Sequence, residues 1–398
     1  MSSFEDSRRD DALIAAVRGL VRKTLVPLEQ QLENEDAVPD AAITAMRELG
    51  LFGLSTPREY GGSDISVVTE VEVVMELGWA AAAFRSLVGI NLGVGSQGIV
   101  RRGTEDQKRR WLPVIASGEV IASFALSEAE AGSDATAITS SAVKDGSEYV
   151  LNGSKKYVTN SSFAGIATVI ARTHGQKLPG NAHLSAFLVP LTADGITISP
   201  RRSMLGLRGG YWADVDFSAV RVPQSALLGG EGDGFSIMMS LLDRSRLQVS
   251  AVSVGQARRL LEECLAHATS RQQFGQPIVR FQLIQAMLAD SYAELHAMEA
   301  MVREAARRFD AGEEISTPVA ATKMFATEAL GRIADRAVQI FGATGLERGS
   351  VVERMYRDVR STRFIEGSTQ MLQINIARAL AKTRQPGMTT KRRETNVV

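Results

Sequence analysis

Three regimes of hydrophobic patterning follow one another along the chain. Up to about residue 118, apolar positions recur at helical spacing in "ALIAAVRGLVRKTLVPLEQQLE" and "AAITAMRELGLFGLS", which predicts helices with one buried face. A turn cluster, "PREYGGSD", precedes a long Ala/Gly/Val-rich helical segment expected around 66–100. "TEDQKRRWLPVIASGE" then reads as a short helix with Thr104 as N-cap and Gln107 three residues on. From about 119 to 232 the period changes to short runs bounded by turn residues: "VIASFAL", "SSAVKDG", "EYVLNGSKKYVT", "IATVIART", "LSAFLVPL", "GITISP" and "WADVDFSAVRV". Asp145-Gly146 and Asn152-Gly153 are tight-turn signals between them. After "GGEGDGF" the helical period returns, and Phe281, Ile284, Leu288, Leu295, Met298, Val302 and Phe309 fall near one stripe. That segment, roughly 45 Å long at 1.5 Å per residue, predicts an antiparallel bundle. The expected fold is α+β in α–β–α order. It comprises an N-terminal helical domain (1–118), a middle β-sandwich or barrel (119–232), a C-terminal four-helix bundle (233–384) and a polar tail (385–398).

Composition narrows the class. The 398 residues are 44% hydrophobic and 23% charged, ordinary for a globular chain. Lys+Arg and Asp+Glu both total 45, so no global field favours nucleic acid or an anionic membrane. The lone cysteine, Cys264, excludes an internal disulfide framework and suits a reducing compartment. The N-terminus lacks an apolar signal core and no membrane span is expected, so a cytoplasmic location is the expectation. His174, His183, His267 and His296 form no ligand-spaced pair, and no metal site is expected. Neither a G-x-S-x-G elbow nor a P-loop occurs, and the glycine-rich "GLRGGYWADV" and "LLGGEGDGF" lie outside any βαβ context.

The chemistry-bearing residues sit in separated polar clusters. In "FALSEAEAGSDA", a strand ending at Leu126 enters a small-residue loop with Ser127 and Ser133, where a ligand can approach the backbone. "KKYVTNSS" offers Tyr157 and Thr159; "LLDRSR" offers Asp243 and Arg246; "SRQQFGQPIVRFQLIQ" offers Arg271, Phe274 and Gln282. "QIFGATG" follows, with Gln339, Gly342 and Ala343. Last comes "RFIEGSTQM", where Glu366 is set between an apolar lead-in and a helix-breaking Gly367-Ser368. Two readings of it stand: a base held in a dry pocket, or a helix-to-helix turn with an exposed acid.

Together, and in this order, "SEAEAGSD", "KKYVTN", "LDRSR", "RQQFGQPIVRFQ", "QIFGATG" and "EGSTQ" resemble the acyl-CoA dehydrogenase family over nearly the whole chain. Glu130, where the family commonly has glycine, and Ile365, where many members have tyrosine, depart from its pattern. The resemblance implies FAD, an acyl-CoA thioester, and α,β-dehydrogenation with hydride passing to flavin N5. It places Glu366 on the catalytic base, and Leu126, Ser127, Tyr157 and Thr159 on the isoalloxazine contacts. Arg271, Phe274, Gln282 and Gln339 to Ala343 fall on positions that hold adenosine and pyrophosphate across a subunit interface, and Ser368 and Gln370 on further FAD contacts. Ser133, Asp243 and Arg246 fall on the thioester arm, and Gly367 on the turn that lets donor and base face the substrate. The family's alternative base position is occupied here by Ser245, which cannot serve. A homotetramer, at least a dimer, and an electron-transferring flavoprotein as acceptor are further implications.

Arg85 in "AAAFRSLVGI" interrupts a small, apolar helix face at the segment that lines the acyl end of the family's pocket. A buried guanidinium is costly without a partner, and a bidentate carboxylate suits it best. The "FRS" resembles the "YRS" of glutaryl-CoA dehydrogenases, whose arginine grips a distal carboxylate. The decarboxylating members carry a glutamate seven residues earlier, where this chain has Gly78, so dehydrogenation without loss of CO2 is expected. The alternative for Arg85 is a pair with Glu76 or exposure to solvent. The alternative substrates are monocarboxylic short- or branched-chain thioesters, on CoA or an acyl carrier protein. A non-catalytic helical scaffold is the reading from another class.

Overall fold

Helices, then sheet, then helices: the periodicity places these regimes in the order found in the computed structural model, which describes residues 2–383. The expected polar tail, 385–398, lies outside the described residues. The single helix expected around 66–100 is instead three, Val67–Leu77, Ala82–Leu92 and Gln97–Arg102. Its breaks fall at glycines chosen by packing: a Cβ on Gly78 would stand 2.5 Å from the Val252 carbonyl oxygen, and one on Gly95 2.6 Å from the Ala122 Cβ. The helix Val67–Leu77 is therefore pressed backbone-to-backbone on the bundle, and Val67, Val71, Val74 and Met75 belong to the bundle's core. Its first turn is capped from outside, since the Asp310 carboxylate accepts the N–H groups of Val67 (2.9 Å) and Val68 (3.0 Å).

The capping box of Glu105–Ala116 forms as read from the sequence. Thr104 Oγ1 accepts the Gln107 N–H at 3.2 Å, and Gln107 Oε1 accepts the Thr104 N–H at 3.0 Å. Gln107 does more than the motif asks: its Nε2 donates to the carbonyls of Ser225 (2.8 Å) and Leu227 (2.9 Å), tying this helix to the β layer.

All seven expected strands are present: β1 (Ala122–Ala125), β2 (Ser141–Asp145), β3 (Glu148–Val158), β4 (Ile166–Arg172), β5 (Leu184–Pro190), β6 (Ile196–Ile198) and β7 (Ala213–Pro223). An eighth, β8 (Leu227–Leu228), was hidden in a glycine-rich stretch too short to show a period. They hydrogen-bond in the order β6-β7-β3-β2-β4-β5-β8, with β1 beside β4. The link between β2 and β4 is a single pair, Ser141 with Arg172, and across it the Tyr149 and Phe187 rings meet at 5.0 Å. Two leaves thus fold onto one another as a sandwich. In β4 and β5 one set of residues (Ala167, Val169, Phe187, Val189) fills the space between the leaves, and the alternate set (Ile166, Ile170, Leu184, Leu188) packs against helices. Burial on both faces explains their unbroken apolar runs.

Asp145-Gly146 makes the expected turn, with Gly146 at φ 61°. Asn152-Gly153 does not. It lies inside β3 as a break in register, where Gly153 adopts φ 140° and leaves no room for a side chain, since a Cβ would stand 2.3 Å from Ser140 Oγ.

The bundle comprises Gly234–Ser270, Gln282–Asp310, Ser316–Phe341 and Thr369–Thr383, with the short helix Val351–Val359 packed among them. Along Gln282–Asp310, Leu288, Leu295, Met298 and Val302 are buried on the predicted stripe, flanked by half-buried Ile284 and Phe309. Asp358 joins bundle to sandwich. It is buried and accepts the Leu207 N–H at 2.6 Å, and Gly206 passes so close that a Cβ would meet its Oδ1 at 2.6 Å.

Two stability predictions follow from these contacts. Thr104→Ala is expected to cost about 1 kcal/mol in urea unfolding, and Gln107→Ala more, because it also strips two carbonyls of their donor. Burial pushes the Asp358 carboxyl up from 3.8 to about 6. The folded chain then holds a proton in that interval which the unfolded chain has lost, so this group withdraws stability as pH rises from 3.8 to about 6. The stability difference between Asp358→Asn and the parent should grow in the variant's favour across that window and level off above it, as read from unfolding curves at stepped pH.

Candidate active site

Glu366 stands on a turn whose backbone is itself unusual. The last turn of the preceding segment, Arg360–Arg363, is 3-10, and the next helix begins at Thr369 with Ser368 Oγ accepting the Met371 N–H at 3.3 Å. Between them Glu366 adopts φ 55° and Gly367 φ 101°, two successive left-handed residues, which reverses the chain. A side chain in that region costs about 1–3 kcal/mol and persists only where its surroundings over-determine it. Arg246 Nε donates to the Glu366 carbonyl at 2.9 Å, and Lys323 Nζ to the Gly367 carbonyl at 2.9 Å. Arg246 Nη1 also meets Asp243 Oδ1 at 2.9 Å, while Asp243 Oδ2 accepts from Ser316 Oγ at 2.7 Å.

The structure thereby brings together Asp243, Arg246, Glu366, Gly367 and Ser368, distant in sequence. Within one chain Phe364 is 50% exposed, and Ile365 and Glu366 are half-buried, so the apolar lead-in by itself does not enclose the carboxylate.

Arg85 belongs to a buried polar chain that runs between the N-terminal helices and the bundle. It is only 9% exposed, and burial pushes its guanidinium down to about 10, with the charges of Glu366 and then Glu70 opposing. Its Nη2 donates to Gln248 Oε1 at 3.2 Å; its Nε is buried with no hydrogen-bond partner. Gln248 Nε2 donates to Glu70 Oε1 at 2.6 Å, and Glu70 Oε2 takes the Arg244 guanidinium. Arg244 Nη1 in turn reaches Gln97 Oε1 at 3.3 Å. Neither simple alternative for Arg85 is realised: Glu76 pairs with Arg18 at 2.9 Å, and Arg85 is withdrawn from solvent. Gly89, one turn on, makes room, since a Cβ there would stand 2.8 Å from Arg85 Nε.

On the sandwich, the Leu126-Ser127 loop is held from below. Lys155, fully buried, donates to the Leu126 carbonyl at 3.0 Å and to Glu128 Oε1 at 2.8 Å. Glu128 also accepts the N–H groups of Thr139 (2.6 Å) and Ser140 (2.9 Å). Burial works against its charged form, yet Lys155 and these donors hold the carboxyl down to about 2. The Lys156 N–H fixes the Ser127 carbonyl at 2.8 Å, and the Thr159 carbonyl accepts from Ser123 Oγ at 2.7 Å. Tyr157, at φ 56°, is 54% exposed with the Arg202 guanidinium 4.6 Å from its ring centre; Ser133 is exposed.

The remaining predicted residues gather at the other end of the bundle. His267 stacks on Phe341 at 4.2 Å, so the hairpin carrying Arg271 and Phe274 lies beside the helix end carrying Gln339, Gly342 and Ala343. Arg271, Phe274, Gln282, Gln339 and Ala343 are all exposed, Phe274 at 93%. Lys323 and Gln339 share one helix and are roughly 24 Å apart along it at 1.5 Å per residue, so within one chain this group is not joined to the Glu366 turn. Gln370 is exposed on the first turn of the last helix. Sequence reasoning passed over Lys323, Lys155, Glu70 and Gln248; the available signal was a lone charged or polar residue on an otherwise small, apolar helical or strand face, as in "AATKMFA" and "VVTEVEVV".

Comparison with known proteins agrees in all three parts of the chain. Family models described as acyl-CoA dehydrogenase N-terminal, middle and C-terminal domains match residues 7–119, 123–220 and 232–381. A probable acyl-CoA dehydrogenase of Bacillus subtilis, YngJ, is 35% identical over 380 residues, covering 96% of this chain and 100% of that one. Butyryl-CoA dehydrogenase from Megasphaera elsdenii superposes with a TM-score of 0.89 at 29% identity, covering 94% of this chain and 98% of that one. A glutaryl-CoA dehydrogenase from Mycobacterium smegmatis in complex with FADH2 does so with a TM-score of 0.87 at 30% identity, covering 94% and 95%. The residues present fit a flavin: Tyr157, 54% exposed, and half-buried Ser127 stand side by side at the strand end, where the Lys156 N–H holds the Ser127 carbonyl, leaving an accessible aromatic and a hydroxyl for a flat, polar-edged ring. Three matched domains, a near full-length relative and a flavin-ready strand end make this chain a member of the acyl-CoA dehydrogenase family, an FAD-dependent oxidoreductase acting on acyl-CoA thioesters.

Proposed function

We propose that the chain dehydrogenates a short or branched dicarboxylyl-CoA between its α and β carbons, without decarboxylation, using Glu366 as base. The observation that carries the substrate class is Arg85, a buried guanidinium whose Nε has no partner and whose neighbour Gln248 is itself anchored on Glu70. A guanidinium held in this way is oriented but not satisfied, which suits a planar carboxylate at the distal end of the acyl chain. The Glu366 charge acts on the Arg85 guanidinium, which supports placing base and distal carboxylate on one substrate.

In this reading the α-hydrogen, made weakly acidic by the thioester, passes to the Glu366 carboxylate. The Glu366 N–H, on a turn fixed by Arg246 and Lys323, donates to the thioester oxygen as charge develops there. Gly367 permits the reversal that lets carboxylate and N–H serve the same substrate. Bound FAD supplies the acceptor for the β-hydride. Leu126, Ser127, Tyr157 and Thr159 would line its ring, and Ser368 and Gln370 would make further contacts to it. Arg271, Phe274, Gln282 and Gln339 to Ala343 would hold the adenosine half belonging to a second copy, since in one chain they stand too far away. This makes at least a dimer, in the proposal a homotetramer, and an electron-transferring flavoprotein is the proposed acceptor.

Likeness to butyryl-CoA dehydrogenase favours a second reading, a monocarboxylic thioester. Arg85→Met separates the two. It should raise KM for glutaryl- or methylsuccinyl-type thioesters on the order of 10²-fold while barely changing that for butyryl-CoA; equal effects on both would exclude the dicarboxylate. Glu366→Gln should retain bound flavin and thioester affinity while lowering kcat by roughly 10²–10⁴-fold, measured with a ferrocenium acceptor. Full turnover in that variant would remove Glu366 from its role.

A further inference from the structure

Lys323 is a buried cation that the proposed chemistry does not use. Its side chain is fully enclosed, and among the described residues no carboxylate approaches its ammonium within 4.0 Å. An ammonium taken out of water is costly unless something answers its charge. Its hydrogen bond goes to one backbone atom, the carbonyl of Gly367 at 2.9 Å. The preceding carbonyl, that of Glu366, is taken by Arg246 at 2.9 Å. Two cations from two different bundle helices, Ser316–Phe341 and Gly234–Ser270, therefore grip successive peptide groups of the left-handed turn. The φ of 55° at Glu366 is a conformation a side-chain-bearing residue holds only under constraint, and the two cations hold the two carbonyls that follow its Cα.

We propose that Lys323 is a positioning residue for the base, clamping the Glu366–Gly367 turn together with Arg246. The inference rests on the assignment of Glu366 as base. The groups facing Lys323 are Glu366 from the turn, Arg246 from the neighbouring helix and Glu328 from its own helix. Behind them, Asp243 is bound to Arg246, and Arg363 lies 3.2 Å from Glu328. Burial pushes the ammonium down to about 8, with Glu366 working against burial, so the charge is present at neutral pH.

The test compares FAD-loaded wild-type protein with Lys323→Met, which loses the donor, and Lys323→Gln, which keeps an N–H donor without the charge. The probes are butyryl-CoA and glutaryl-CoA. Readouts are kcat, KM and anaerobic exchange of the thioester α-proton with deuterium oxide, which reports the base without net oxidation. Lys323→Met is expected to lower kcat and α-proton exchange by about 10²-fold with KM within a few-fold, and Lys323→Gln should recover part of the exchange rate. Should Lys323→Met fail to accumulate with bound flavin, Lys323→Gln decides alone: exchange lowered several-fold at unchanged KM supports the clamp, and wild-type exchange overturns it. Wild-type exchange in Lys323→Met would leave Lys323 a structural lysine and overturn the proposal. Glu366→Gln run in parallel separates the two ideas: wild-type exchange in that variant would defeat the base assignment itself, whereas lost exchange there with wild-type exchange in Lys323→Met defeats only the clamp.

Discussion

A single enclosed acid, Glu70, sets the geometry on which the candidate site rests. It is 1% exposed and takes Arg244 with one oxygen and Gln248 with the other. Such a pair is poor value as a source of stability, because desolvating the charges offsets most of their attraction. What it fixes is direction. Arg244 and Gln248 belong to the bundle helix that also carries Asp243 and Arg246, and Glu70 belongs to the helix pressed on that bundle through Gly78. Rotation or sliding between these helices would strand a buried charge, so Gln248 has one orientation in which to meet Arg85.

From that seat the site is built outward as a series of cations holding acceptors in place. Lys155 grips Leu126, Arg246 grips Glu366, and Lys323 grips Gly367, in every case through a backbone carbonyl. Side chains that a sequence comparison would rank as catalytic are few; the ones that aim them outnumber them and are better buried. This is what pre-organisation requires, since a donor or base must be in position before charge develops.

Element type was legible from the chain because burial has a period. Strands β4 and β5 and the stripe Leu288–Val302 could be read directly, as could the Thr104–Gln107 cap. The failures came where three-dimensional contact overrules local preference. Asn152-Gly153 looks like a turn, but Ser140 occupies the space a side chain would need, so the glycine serves a bulge. The helix expected across 66–100 breaks where other backbones must come close. The cluster order, read with the family resemblance, located Glu366, Asp243 and Arg246 together. It could not reveal Lys323 or Glu70, because an isolated charge on an apolar face looks the same from sequence whether it is buried or snorkels to the surface.

The sandwich has a seam with mechanical meaning. Its two leaves share one ladder pair, Ser141 with Arg172, and right beside it Glu128 gathers Thr139, Ser140 and Lys155. Side-chain ties there stand in for the missing rungs, so the joint between leaves is also the support of the Leu126-Ser127 loop. The Lys155–Glu128 pair that fastens this joint is almost wholly enclosed, so brine screens it little, and a change that breaks it frees the Leu126-Ser127 loop and the meeting of the leaves together.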